Sequence, residues 1–250
     1  MIKRLFVYAA ASMLLAGLGS CAVYRPMQCA APALYGKGQV ELAGSCYFNK
    51  RLHGSVNYSP VRHVLVRAAL DGKADSDDST YTRSQQYELA VGTYWPVGEQ
   101  VVLGALVGAG QAHSQVRYRP IETSFFTQYE YATRYNKLFG EAYGTWQLAP
   151  ALQIGVAYRL TQVQFTSLTN LGQPLRLTAM LRGEPLVFAR STFAFRPGAE
   201  RLAYVQVGLG GSALLRAWPG QLSGPESNLL ASNTYLTIGL GFFPSMLWRH

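Results

Sequence analysis

The feature that most limits what this chain can fold into is a series of period-two patterns with one apolar face and one face of small residues carrying scattered charge. Residues 86–95 set Tyr87, Leu89, Val91, Thr93 and Trp95 against Gln86, Glu88, Ala90, Gly92 and Tyr94. Residues 151–166 set Leu152, Ile154, Val156, Tyr158 and Leu160 against Gln153, Gly155, Ala157, Arg159 and Thr161. Residues 201–214 and 234–243 repeat the pattern, with Gly208, Gly210, Gly239 and Gly241 on the small face. Successive side chains of a strand point to opposite sides of a sheet, so each run is a strand facing two different environments. No segment after residue 36 shows a convincing helical period, and the fold class is all-β.

Ten strands are expected, over 38–48, 52–59, 62–71, 86–95, 101–117, 128–147, 151–166, 186–195, 201–214 and 234–243, within a range of eight to twelve. Tight proline-marked turns at Pro60, Pro96, Pro150 and Pro197 alternate with long polar connections over 72–85, 118–127, 167–185 and 215–233. That alternation matches a closed antiparallel up-and-down β-barrel with short periplasmic turns and long external loops. The first connection, Asn49-Lys50-Arg51, is external by count and yet short.

A water-soluble sandwich shares the alternation, so the second face decides between them. It carries Gly, Ala and Ser with Glu41, Arg67, Glu88, Glu141, Arg159 and Arg190, which suits a crowded lumen better than a solvated surface. Charged residues make up 14% of the chain, against about 25% in ordinary globular domains. Glu41, Glu88 and Glu141 are expected to pair with Arg67, Arg159 and Arg190 across the lumen, because an unpaired buried charge costs several kcal/mol. Tyr58, Trp95, Trp146 and Phe195 fall at strand ends beside the short turns, where an interfacial aromatic girdle belongs. Tyr118, Tyr129, Tyr131, Tyr135 and Phe165 lie toward the other ends.

The N-terminus addresses export. Lys3 and Arg4 precede an apolar stretch from Leu5 to Leu18, shorter than the ~20 residues a helical span needs but suited to a signal peptide. Leu18-Gly19-Ser20-Cys21 resembles the lipobox of bacterial lipoproteins, which implies cleavage before Cys21 and acylation of that cysteine, palmitate among the chains. The expected division is signal peptide 1–20, lipid-anchored tether 21–36 and a single barrel domain 37–250. Formal charge is +9 and falls to +7 without Lys3 and Arg4. For an exported chain such a balance favours anionic lipid headgroups rather than nucleic acid. Cys29 and Cys46 leave one disulfide open.

The lipobox, the Ala31-Pro32-Ala33-Leu34-Tyr35-Gly36-Lys37-Gly38 lead-in, the Tyr58-Ser59-Pro60 turn and the Thr237–Phe243 closing strand together resemble the broad outer-membrane β-barrel families of bacteria. More closely, they resemble lipoproteins carrying such a barrel. The resemblance implies the outer membrane of a Gram-negative bacterium, and an even strand count puts both termini, with the lipid on Cys21, on the periplasmic side. Its partners would be outer-membrane lipid and lipopolysaccharide, together with the lipoprotein export and barrel assembly machineries. Residues 244–250 follow the closing strand and depart from the usual assembly signal.

Chemistry is sparse. His53, His63, His113 and His250 have no metal-binding spacing, the Gly208–Gly211 and Gly239–Gly241 elements open no helix, and Asp75, Asp77 and Asp78 lack the frame of a calcium loop. No metal, cofactor or catalytic residue is expected. A rim hydrolase built on His53 or His113, with Asp71 or Ser114 near, is the remotest alternative. Arg83, Arg117, Arg119, Arg134, Lys137, Arg176 and Arg182 are candidates for binding outer-leaflet phosphates. The expected function is a structural or interaction barrel with a plugged lumen. A lipid-tethered soluble periplasmic barrel for a small apolar ligand and a narrow transport pore are its rivals.

Overall fold

The computed structural model describes residues 23–76, 80–118, 129–194, 202–219 and 229–246. Cys21, Asp77, Asp78, Arg119, Phe195 and His250 lie outside them. The strands are β1 (Val40–Tyr47), β2 (Leu52–Tyr58), β3 (Val64–Ser76), β4 (Tyr81–Val97), β5 (Val101–Tyr118), β6 (Tyr129–Ala149), β7 (Leu152–Asn170), β8 (Gln173–Pro174), β9 (Ala179–Phe193), β10 (Ala203–Trp218) and β11 (Asn233–Phe242). Each of the ten long strands is antiparallel to its neighbours, β1 pairs with β11, and β6 pairs with β7 to close the ring. The short β8 pairs with the end of β7 and lies outside the ring.

The ring has a turn end and a loop end. At the turn end lie connections 59–63, 98–100 and 150–151 and the strand ends at Phe193 and Ala203, and at the loop end connections 48–51 and 171–178 and the strand ends at Ser76, Tyr81, Tyr118, Tyr129, Trp218 and Asn233. In the turn 98–100, Gly98 takes φ +64°, a conformation that lets two long strands reverse in three residues. Several strands run farther toward the loop end than their apolar pattern suggests. β3 continues through Lys73 and Asp75 to Ser76, β4 begins at Tyr81, and β9 begins at Ala179. The connections expected over 72–85 and 167–185 are therefore partly strand. The reason is chemical: outward positions there, such as Arg83, Gln85 and Gln115, are polar, so the sequence loses its apolar alternation while the backbone ladder continues.

The two faces are inverted relative to a soluble protein. Leu89, Val107, Leu138, Val156, Val187 and Leu240 point outward, each more than half exposed, whereas Glu41, Arg67, Glu88, Glu141, Arg159 and Arg190 point inward and are buried. Tyr58, Trp95 and Trp146 are outward and exposed beside the turn end, with Phe193 in the same zone. The aromatics toward the other end divide differently: Tyr131 and Tyr135 are buried inside, and Phe165 packs partly against them.

Inward glycines make room for neighbouring rings. A side chain on Gly104 would overlap the Tyr143 ring, and one on Gly241 would overlap Tyr204; Gly155 and Gly210 stand in the same relation to Phe188 and Tyr235. The GxG elements of β10 and β11 are therefore lumen lining. Gly104→Val and Gly241→Val should each destabilise the folded barrel by about 1–3 kcal/mol, the usual cost of overpacking. Gly140→Ala, with open space around it, should leave the urea midpoint in lipid vesicles unchanged.

Candidate functional site: the occupied lumen

From sequence, residues 21–36 are a tether outside the barrel; in the structure residues 23–34 are buried inside it. The segment belongs to no strand, and it follows the lumen from one end to the other. Val23 packs with Tyr131, Leu168, Leu177, Ala217 and Leu229 at the loop end. Tyr24 packs with Ala112, Tyr135, Val163 and Met180, and its hydroxyl donates to Glu184 at 2.6 Å. The Arg25 carbonyl accepts from Gln86 Nε2 at 3.1 Å, and the Pro26 carbonyl accepts from Arg51 Nη2 at 2.7 Å. Gln28 Oε1 accepts from the Ser45 hydroxyl at 2.6 Å, and the Ala31 carbonyl accepts from Arg190 Nη2 at 2.9 Å. Ala33 rests on Tyr204 and Phe243 near the turn end, and Tyr35 Oη accepts from Gln153 Nε2 at 3.0 Å. The chain then turns into β1, with Gly38 N–H donating to the Ser59 carbonyl at 2.7 Å.

Around this segment the wall forms an ionic network. Glu88 receives Lys137 Nζ at 2.6 Å and Arg159 Nη1 at 3.0 Å, and Arg159 Nε donates to Glu141 at 2.7 Å. β4 and β7 are three strands apart in the ring, so the Glu88–Arg159 bridge crosses the lumen. Arg159 also stands over the Phe139 ring at 4.3 Å. Lys137 donates a further bond to Gln86, which also binds Asp71. Asp71 faces Arg51 Nε at 3.4 Å.

Of the six charges expected to pair, the structure joins Glu88, Glu141 and Arg159 in one cluster. Glu41, Arg67 and Arg190 are inward but bound elsewhere. Glu41 accepts from Tyr204 Oη at 2.5 Å and Asn57 Nδ2 at 3.1 Å. Arg67 reaches Asn57 and His53, and Arg190 reaches Gln206, Gln153 and the Ala31 carbonyl. Lys137 and Arg182, expected among the external loop charges, face the lumen and are buried. Arg182 donates to Ser212 and to the Ala231 carbonyl. Glu184, unnoticed in sequence, accepts from Tyr24, Thr161 and Ser212. A longer strand assignment for β9 would have exposed Arg182 and Glu184, which share the inward parity of Met180, whereas Lys137 lay inside the strand expected over 128–147 and shares the inward parity of Tyr135 and Phe139.

The buried charges of the described residues are the cations Arg25, Arg51, Arg67, Lys137, Arg159, Arg182 and Arg190 against the anions Glu41, Asp71, Glu88, Glu141 and Glu184. Backbone carbonyls, two of them on the lumen segment, accept from the cations left over. Between segment and wall one void of about 40 Å³, lined among others by Glu41, Ser45, Asn57, Arg67, Arg190 and Tyr204, holds a few waters, and a mouth of about 240 Å³ at the turn end is lined by Ala33, Tyr35, Gln153 and Phe243.

Other candidates separate. Cys29 is buried in the lumen and Cys46 faces outward; both are free, with the wall between them. His53 Nδ1 lies 3.9 Å from Asp71 inside the lumen, while Ser114 points inward and its neighbour His113 outward. Among the described residues no three His, Cys, Asp or Glu side chains gather to hold a metal ion.

No family model matches the chain, and no curated protein matches it. Among solved structures, the translocator domain of the autotransporter NalP from Neisseria meningitidis is 11% identical, with 82% of this chain and 86% of that one covered at a TM-score of 0.46. The outer membrane protease OmpT from Escherichia coli is 11% identical, with 83% and 91% covered at 0.43. The Ralstonia pickettii toluene transporter TbuX is 12% identical, with 82% and 69% covered at 0.39. The fold stands on the strand pairings above.

Removing one partner of the central cluster leaves a buried charge unanswered. Arg159→Leu should therefore destabilise the barrel by about 3–5 kcal/mol. Adding Glu88→Gln to it should cost less than the two single changes summed, read from urea unfolding followed by tryptophan fluorescence.

Proposed function

We propose that this chain is an integral outer-membrane β-barrel with a structural or interaction role, closed to solute passage by its own N-terminal segment, and without enzymatic activity. The observation that carries the reading is the inverted wall: an apolar band faces outward and a polar, charged interior is filled. In water the outward leucines and valines would stay solvated at about 25 cal/mol per Å²; in hydrocarbon they belong there. The soluble ligand-binding rival needs its apolar faces turned inward, opposite to their placement. The pore rival needs a continuous passage, against a lumen occupied along its length by the buried residues 23–34.

A partner of the outer leaflet fits the outward face. Arg83 and Arg134 flank His113 on β4, β5 and β6, and a surface depression of about 880 Å³ beside them is lined by Leu52, Leu70, Tyr87, Gln111, His113 and Arg134. Apolar side chains next to guanidinium groups suit a phosphorylated lipid, whose chains and phosphates have those two needs.

Wild-type protein in planar bilayers should give no large stable openings, and a variant lacking residues 23–34 should give them; stable openings from the wild type would sink the closed-lumen reading. Carbonate washing should leave the barrel in the membrane even with Cys21→Ala. Reversal of Arg83 and Arg134 to Glu should weaken capture of anionic glycolipid vesicles, and unchanged capture would dispose of the lipid site.

A further inference from the structure

The lumen segment has a direction, and that direction bears on where the N-terminus of the exported chain resides. Its contacts ascend in order. Tyr35 bonds Gln153 at the start of β7, Ala31 bonds Arg190 near the end of β9, and Gln28 bonds Ser45 high on β1. Pro26 then bonds Arg51 beside the 48–51 hairpin, and Val23 packs with Tyr131 at the start of β6 and Ala217 at the end of β10. Every one of these steps moves from the turn end toward the loop end. Thirteen extended residues reach at most ~45 Å, enough to traverse an apolar band of about 25 Å and emerge beyond it.

We propose that the chain preceding Val23 leaves the barrel through its loop end, so that the N-terminus of the exported protein, with any acyl group it bears, is displayed on the outer surface of the cell. This rests on the outer-membrane reading, which sets the loop end outside. Two short strands on one side argue that a lipid so placed has a route to the outer leaflet. β1 and β2 have 8 and 7 residues where β6 has 21, so the wall is low on that side. Its rim carries Phe48 and Leu52, both exposed, with Leu52 opposite Gly72 and two residues from the level of outward Leu70. Among the described residues the rim there stands at the height of lipid-facing side chains. A return to the periplasm would require the preceding chain to pass back down a lumen already filled by residues 23–34. Cys21 lies within ~7 Å of chain from Val23. Acylation of Cys21 would therefore anchor the protein from outside, the opposite of the periplasmic tether expected from an even strand count.

The test is cysteine accessibility in the full chain exported by a non-lipoprotein signal, with Cys21, Cys29 and Cys46 changed to Ala and one cysteine returned at a time. A membrane-impermeant maleimide is applied to intact cells and to cells with a permeabilised outer membrane. Ala22→Cys should react in intact cells to the level of Thr80→Cys at the loop end, while Glu99→Cys at the turn end should react only after permeabilisation. Reaction of Ala22→Cys only after permeabilisation, with Thr80→Cys still reactive in intact cells, overturns the inference and leaves the orientation standing. Protection of Thr80→Cys in intact cells, with Glu99→Cys reactive, overturns the orientation and the surface display with it. A short epitope placed between Ala22 and Val23 of the lipobox-bearing chain, probed with antibody on intact cells, gives a second reading without changing any cysteine: binding supports display, and binding confined to lysed cells overturns it.

Discussion

Closure of the ring is the constraint from which the rest follows. On the membrane placement proposed above, no water in the hydrocarbon receives an unpaired amide or carbonyl, so a sheet can enter only if every ladder has a partner. The β1–β11 and β6–β7 pairings leave no free edge among the ten long strands. Once the ring is closed, strand geometry sends alternate side chains outward and inward whatever their chemistry. The sequence has to supply lipid-compatible residues on one parity and a self-sufficient interior on the other. Leucines and valines do the first; glycines that admit the rings of Tyr143, Tyr204, Phe188 and Tyr235 begin the second.

An interior made this way holds charge, and charge out of bulk water needs partners at close range. Arg159 meets two carboxylates at once, and Lys137 shares one of them. Cations exceed anions inside, and the lumen segment answers part of that excess with its own backbone: the Pro26 and Ala31 carbonyls lie on Arg51 and Arg190. The segment is thus a component of the electrostatic balance as well as a filling. Three of its own carbonyls, those of Arg25, Pro26 and Ala31, which no ladder serves, are met by Gln86, Arg51 and Arg190 in return.

Much of this was legible in residue order. The apolar and small parities of 86–95, 151–166, 201–214 and 234–243 are those of the folded barrel, as are the ten strands and the positions of the short turns. Strand ends were less legible, because Arg83, Gln85 and Gln115 continue the ladder beyond the apolar band with polar side chains that look like loop. Arg182 was misplaced for that reason, since a strand judged too short turns an inward cation into a loop cation; Lys137 lay within the strand expected over 128–147, and its inward parity with Tyr135 and Phe139 was overlooked. The segment 23–34 was misplaced for another. Surrounded by wall on every side, it has no solvent face and so no period, and an aperiodic stretch with two prolines resembles a linker.

The sequence by itself determined which side chains share a face, since parity is a local property of an extended chain. It also set the inverted distribution of apolar and charged residues, and bounded the strand count between eight and twelve. Only the tertiary structure decided which inward residues meet. Glu88 and Arg159 lie three strands apart, and their contact depends on the stagger of the whole ring, which no strand specifies alone. The same holds for the path of the N-terminal segment. Tyr24 is 160 residues from Glu184 and Ala31 is 159 from Arg190, and a chain can acquire such partners only after the wall that presents them has closed around it.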